Sequence, residues 1–198
     1  KQDTLQLIAL VSAALRNAKD RAEMLNLVVS QITRYLNIHS VALFLARPED
    51  RDFVIERASG EWLAASGRSL PKNAVTRATI TASGHPYTHP DIRRESHFPL
   101  ADLEKKDVAF MALPLQTQQT TIGQLWVGAK TPFVQLDIEL LSTLADIVAN
   151  AIHRATLYEH SQHYAEQIAT ASAIGRALST TLEIQAVYEQ LAQGVLQL

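Results

Sequence analysis

The sequence contains no cysteine in its 198 residues. That absence excludes disulfides, thiolate–zinc sites, cysteine nucleophiles and cofactors attached through a thioether. Long hydrophobic runs are missing too. The longest, around "LIALVSAAL" (Leu7 to Leu15), is far shorter than the roughly 20 residues that span a bilayer, and it lacks the flanks of a signal peptide. No direct membrane contact is expected, and the lack of cysteine is compatible with a cytoplasmic location. Charge of one sign is also not in excess. Eighteen basic and twenty acidic residues leave a net charge of −2, with neither sign gathered into a long block. A general nucleic-acid binder needs a basic face, so nucleic acid is not an expected partner.

What the chain does have is apolar content. It is 47% hydrophobic, enough to bury a substantial core, and its length suits one domain plus an extension. It also has an internal echo. When Leu15 is laid on Leu178, Ala14 meets Ala177, Val11 meets Ile174 and Met24 meets Val187. Further along, Val28 meets Leu191 and Ile32 meets Val195. Both segments read as an apolar helix, a short polar break and a second amphipathic helix. The breaks, "DRAE" (Asp20 to Glu23) and "TTLE" (Thr180 to Glu183), each carry a capping residue with Glu three places later, as in a capping box. The two boxes do not share one offset, so the match is approximate. We read it as one complete domain followed by the opening of a second copy. With a first residue of Lys1 rather than Met, the chain is expected to be a fragment.

Between the two halves of the echo, "SVALFLA" (Ser40 to Ala46) is apolar on both alternating faces, which predicts a central strand covered on both sides. "FVIERA" and "EWLAAS" predict a hairpin around Ser59-Gly60. "NAVTRATITASG" predicts a short helix ended by Gly84. The stretch from His85 to Asp107 carries Pro86, Pro90 and Pro99 and reads mostly as loop. "VAFMALPL" and "TIGQLWVGA" predict two strands around the polar turn "QTQQT", and a helix is expected from about Gln135 to beyond Ala171. Asp137 and Glu139 suit its positive end. Hairpins dominate, so the fold class is α+β: an antiparallel sheet with helices on one face and the crossover loop with its small helix on the other.

This order, and several local phrases, resemble the GAF domain, a sensory module of bacterial signalling proteins. The phrases are "GHPYTHPDI", similar to the family's G-x-P-hydrophobic-x-x-x-D strand and loop; "MALPLQTQQTTIGQLWVGA", similar to its PL…IG-x-L hairpin; and "FVQLDIELLSTLADIVANAIHRATLYE", similar to its terminal helix. The resemblance spans roughly Leu7 to Glu159, and it implies a GAF sensor domain over 1–159. A connecting signalling helix over 160–181 and the first helix of a second, tandem GAF domain over 182–198 then follow.

The chemistry open to such a chain narrows by residue. Cyclic-nucleotide-binding relatives carry an N-K…F-x-x-x-D-E signature. Here Lys130, Phe133 and Asp137 are present, but Ala129 and Ile138 stand where Asn and Glu are needed. Bilin attachment and methionine sulfoxide reduction in this family need the missing cysteine. His85, His89 and His97 cluster on the crossover, but Pro86 and Pro90 interrupt helical metal spacing, so these read as solvated loop residues. His160 and His163 read as surface residues of the terminal helix. No metal, no cofactor and no catalytic set is expected, because no nucleophile–base pair or carboxylate dyad is evident.

The resemblance places a small-molecule pocket between the sheet and the crossover. Phe110 and Trp126 would supply its apolar floor, and Asp91, Arg93, Arg94 and His97 its polar contacts. Adjacent arginines suit carboxylate or phosphate. Along the terminal helix, Leu157, Ser161, Tyr164, Ile168, Ala171, Gly175, Leu178 and Leu182 alternate by four and three, a weak coiled-coil seam. The expected function is therefore a non-catalytic sensor that binds an unidentified small ligand and forms a homodimer through its terminal helices. The alternative is a structural dimerisation and spacer module with no ligand.

Overall fold

Two helices open the chain because two apolar stripes at helical spacing are separated by a polar break. In the computed structural model, which describes residues 2–36, 38–46, 53–70, 83–94, 100, 107–118 and 120–195, these are α1 (Gln2–Asn17) and α2 (Arg21–Tyr35). Asp20 holds the break. Its backbone is extended, and its Oδ1 accepts from the Glu23 N–H at 2.7 Å. The Glu23 carboxylate reaches back to accept from the Lys19 N–H, also at 2.7 Å. Two otherwise orphaned donors are thus satisfied, which is the purpose of a capping box.

The strands are β1 (Ser40–Ala46), β2 (Phe53–Ser59), β3 (Ser69–Leu70), β4 (Tyr87–His89), β5 (Ala109–Thr117) and β6 (Thr120–Ala129). They form one antiparallel sheet in the order β3-β2-β1-β6-β5-β4. The expected central strand is central. β1 lies between β2 and β6, with Ala42 opposite Trp126 and Leu43 opposite Leu125.

The side-chain alternation of these strands builds two separate cores. Val41, Leu43 and Leu45 of β1 join Met111, Leu113 and Leu125 against α1, α2 and the start of a long helix, α3 (Gln135–Val195). On α3, Leu141, Leu144, Ala145, Val148, Ala149 and Ile152 recur every three or four residues and face the sheet. Ala42 and Phe44 point the other way and meet Phe110, Trp126, Trp62, Ile92 and Leu100. Helices thus cover one face, and irregular chain covers the other.

Three expectations change. "EWLAAS" is not a strand. The chain turns at Gly60, whose φ is +65°, into a 3-10 helix (Gly60–Ala65) that buries Trp62 and Ala65 in the second core. The Trp62 indole is buried there, and β2 instead pairs with the short β3. "TTLE" is not a break either, because α3 is helical through Thr180 to Glu183. The N-cap signal there has no preceding turn to act on, whereas Asp20 follows one. The turn between β5 and β6 is tighter than "QTQQT", since both strands extend into it. The small helix expected over 73–84 lies outside the described residues except for Ser83 and Gly84, and Gly84 has the positive φ of a helix C-cap (+65°).

The chain divides into two compact units, Lys1–Ala155 and Thr156–Leu198. The first holds the sheet and both cores. The second is helical as far as Val195, and its described side chains from Leu157 onward are exposed.

Two glycines separate conformational need from spatial need. Gly60 and Gly67 both have positive φ (+65° and +85°), but a methyl on Gly60 would overlap the His39 carbonyl oxygen, while one on Gly67 meets nothing within 4 Å. Gly67→Ala should cost about 1–2 kcal/mol, the left-handed penalty alone. Gly60→Ala should cost clearly more, because it also displaces the start of β1. Urea melts of the two variants check this order; equal losses would contradict it.

Candidate functional site

The crossover is tied to the sheet by a few bonds. The Ile92 N–H donates to the Val108 carbonyl at 2.7 Å, and the Asp91 N–H donates to His89 Nδ1 at 3.2 Å. A short 3-10 turn (Ile92–Arg94) follows, with Ile92 buried and both arginines exposed. Asp91 engages the arginines directly. Arg93 Nε and Nη2 donate to its two oxygens at 2.8 and 3.0 Å, and Arg94 Nε lies 3.4 Å from Oδ2. The hydrogen bond from Arg93 holds the Asp91 carboxyl below its usual range. The structure therefore brings Asp91, Arg93 and Arg94 together, but the Arg93 fork is spent on Asp91. His97 lies outside the described residues.

Phe110 and Trp126 are on neighbouring strands and pack edge to face, with ring centroids 5.1 Å apart. Phe44 lies 4.4 Å from Trp126 by the same measure, and Trp62 lies 6.2 Å from Phe110. Both expected floor residues are buried members of this aromatic cluster. Among the described residues no group of His, Asp or Glu could hold a metal ion.

The second face also carries buried polar groups. Gln124 is fully buried and accepts from Trp126 Nε1 at 2.9 Å. Ser40 is buried at the start of β1 and accepts from the Glu61 N–H at 3.3 Å. Asp107, just ahead of β5, is 2% exposed, and neither of its carboxylate oxygens has a hydrogen-bond partner among the described residues. Its position is fixed by the adjoining backbone, where the Val108 N–H donates to the Ala129 carbonyl at 2.9 Å. His39, whose N–H donates to the Gly128 carbonyl, has a buried Nδ1 that is likewise unpartnered.

Burial is the main reason the Asp107 carboxyl titrates above its ordinary value of 3.8. The Ser40 hydroxyl opposes this, though it lies outside good hydrogen-bond geometry. Glu61 raises the value further, and His39 and Lys130 lower it. Sequence reasoning missed Asp107 because it ends a run of charged residues, "EKKD", that reads as solvated loop. The usable signal was its place immediately before a strand buried on both faces.

A groove of about 310 Å³ lies elsewhere, on the helical side, lined by Leu36, Ile38, Phe133, Leu140 and Leu141 with Asp137. Asp137 Oδ2 already accepts from the Val134 N–H at 2.9 Å, capping α3. The acid of this groove therefore serves the helix.

The family profile of the GAF domain matches residues 20–152. Among solved structures, the GAF domain of a phosphoenolpyruvate-protein phosphotransferase from Coxiella burnetii superposes with a TM-score of 0.72 at 18% identity, covering 80% of this chain and 98% of that one. The corresponding domain from Acinetobacter gives 0.68 at 15%, covering 77% and 94%. A free methionine-R-sulfoxide reductase from Neisseria meningitidis, in complex with its substrate, gives 0.67 at 15%, covering 78% and 91%. No curated protein matches the chain by sequence.

An unpartnered buried carboxylate lowers stability when charged. Because the folded protein raises the Asp107 pKa, the native state binds the proton more tightly than the unfolded chain. Stability should fall as pH rises from about 3.8 through that raised value. Asp107→Asn should therefore stabilise the domain at pH 7, because it removes the buried charge while keeping the side-chain shape. The gain should shrink on acidification and vanish below the unfolded pKa. Thermal melts of both proteins across that range provide the check; a destabilised variant at pH 7 would overturn it.

Proposed function

Because this chain belongs to the GAF family, whose domains are generally sensory or regulatory modules for small ligands, we propose that it is a non-catalytic sensor. Its ligand acts on the sheet face opposite the helices, between the Phe110 and Trp126 strands and the crossover that begins at Asp91. The observation that carries this reading is the polarity of that face. Ser40, Asp107 and Gln124 are three of the four buried polar residues described, and they lie there beside the aromatic cluster. A face that served only as core would be more stable with apolar residues at these positions. Natural proteins give up stability in this way mainly at sites of function.

The terminal helix supplies the proposed output. Along α3, the seam residues Leu157, Tyr164, Ile168 and Leu178 are exposed, Ile168 to 69%. Apolar side chains repeated by four and three on an otherwise polar helix gain most by pairing with a second copy of the same helix. Ser161, Ala171 and Gly175 interrupt the seam and keep it adjustable, so a shift in the sheet domain can change the pairing. The parent protein is read as a bacterial multidomain signalling protein acting in the cytoplasm. Among the described residues no helix is long and apolar enough to cross a membrane. The relative that reduces free methionine-R-sulfoxide shares the fold, but this chain has no cysteine, so we do not extend thiol chemistry to it.

The second reading, a dimerisation and spacer module, is favoured by the tight aromatic packing of Phe44, Phe110 and Trp126. A thermal-shift screen of nucleotides, carboxylates and haem separates the two. A bound ligand at about 100 times its Kd should stabilise the domain by about 2.7 kcal/mol, and silence from every class favours the spacer. Sedimentation should show a dimer. Ile168→Glu combined with Leu178→Glu should dissociate it while leaving the melt of the sheet domain unchanged; a monomeric native chain at high concentration would refute the pairing.

A further inference from the structure

The acid at position 107 has room made for it. Gly128 lies in β6 with no positive φ, so its backbone does not require glycine. Space does. A methyl group there would sit 2.6 Å from Asp107 Oδ2 and 2.8 Å from its Cγ, with Trp62 Cζ2 at 3.0 Å. Glycine at 128 therefore leaves the volume that the Asp107 carboxyl occupies, on the same face as Trp126. Two features, an acid before β5 and a missing side chain near the end of β6, combine to keep a carboxylate buried with no hydrogen-bond partner among the described residues.

The charged and titratable groups around it do not complete it. Glu61, from the 3-10 helix, has the same sign. His39 and Lys130 favour the carboxylate electrostatically, yet neither bonds to it among the described residues. Lys130 is exposed and His39 half-buried, so this end of the sheet borders solvent. By contrast, Asp91 takes the Arg93 fork and offsets one of the two arginine charges of the crossover.

We infer that Asp107 anchors a cationic, hydrogen-bond-donating group of the ligand, such as an ammonium or amidinium, beside Trp62. This rests on the ligand-binding reading above and reverses the ligand charge that Arg93 and Arg94 lead one to expect. Such a group supplies the donors that both carboxylate oxygens lack. An indole alongside favours it further, since cations are attracted to aromatic rings. Charge-assisted hydrogen bonds from an amidinium to a carboxylate are also among the stronger ones available to proteins.

Three probes of one shape and different charge test this on the native 198-residue chain: benzamidinium, benzamide and benzoate. Calorimetry or thermal shift at neutral pH should show benzamidinium binding and benzoate failing, with benzamide at least tenfold weaker than benzamidinium. Asp107→Asn should weaken benzamidinium by about tenfold or more, the value of a hydrogen bond to a charged group, and bring it close to benzamide. Benzoate or benzamide binding as well as benzamidinium would overturn the inference, as would full benzamidinium affinity in the variant. The charge series needs no variant, so it decides even if the substitution impairs folding. If the anionic and neutral panel binds while benzamidinium does not, the cation assignment fails and the sensor reading stands. If no compound of any charge binds, both fail.

Discussion

Everything in the sheet domain follows from the pairing of β1 with β6 at the middle of the sheet. Both strands are buried on both faces over most of their length, and a strand apolar on two sides must be covered on two sides. One cover comes from α1, α2 and the first turns of α3. The other has no full helix among the described residues and is made from the 3-10 helix with Trp62, from Ile92 and from Leu100. The two covers differ in kind. Helices bring regular apolar stripes with their backbone bonds already satisfied, whereas short irregular segments bring single large side chains and leave polar groups to be placed one at a time.

That difference explains why the polar residues gather on one side. Ser40, Gln124 and Asp107 all belong to the irregular face. Gln124 is tied to Trp126, and Ser40 takes up the Glu61 N–H that the 3-10 turn would otherwise leave open. Asp107 has no such structural duty. It is a stability cost held in place by the Gly128 gap, and the sheet's own pairing makes that gap rigid. A ligand on this face would therefore meet a preformed group, with little reorganisation needed at the moment of binding.

The long helix changes character along its length. From Leu140 to Ile152 its buried apolar residues face the sheet, and from Leu157 to Ser179 its side chains are exposed. The periodicity of the apolar stripe continues, while the surface that it packs on within the first unit ends. An apolar stripe with no cover is costly in water, which is why a second helix of the same kind is the natural complement. In the proposed mechanism the same element is both core and output.

The strands and helices were legible because local rules decide them. "SVALFLA" is apolar on both faces, as a doubly covered strand is, and Asp20 with Glu23 follow a polar break, where such a pair caps a helix. The GAF phrases added the order of elements. The fate of "EWLAAS" was not legible. Its alternation suited a strand, but Trp62 gained more from burial beneath the sheet than from pairing beside it, and that comparison needs the opposite face to exist. The break expected at Thr180 failed for a related reason, since the same residues that cap a helix after a turn are tolerated inside one when no turn precedes them. The arginines looked free in sequence because spacing alone does not show that Asp91 takes the Arg93 fork. Asp107 looked solvated because its neighbours are lysines. The sequence alone determined the α+β class, the central strands and the terminal helix, all set by periodicity and capping over short range. Only the tertiary structure decided which charges are spent and which are left over, because burial and pairing depend on residues such as Gly128 and Trp62 that approach Asp107 from distant parts of the chain.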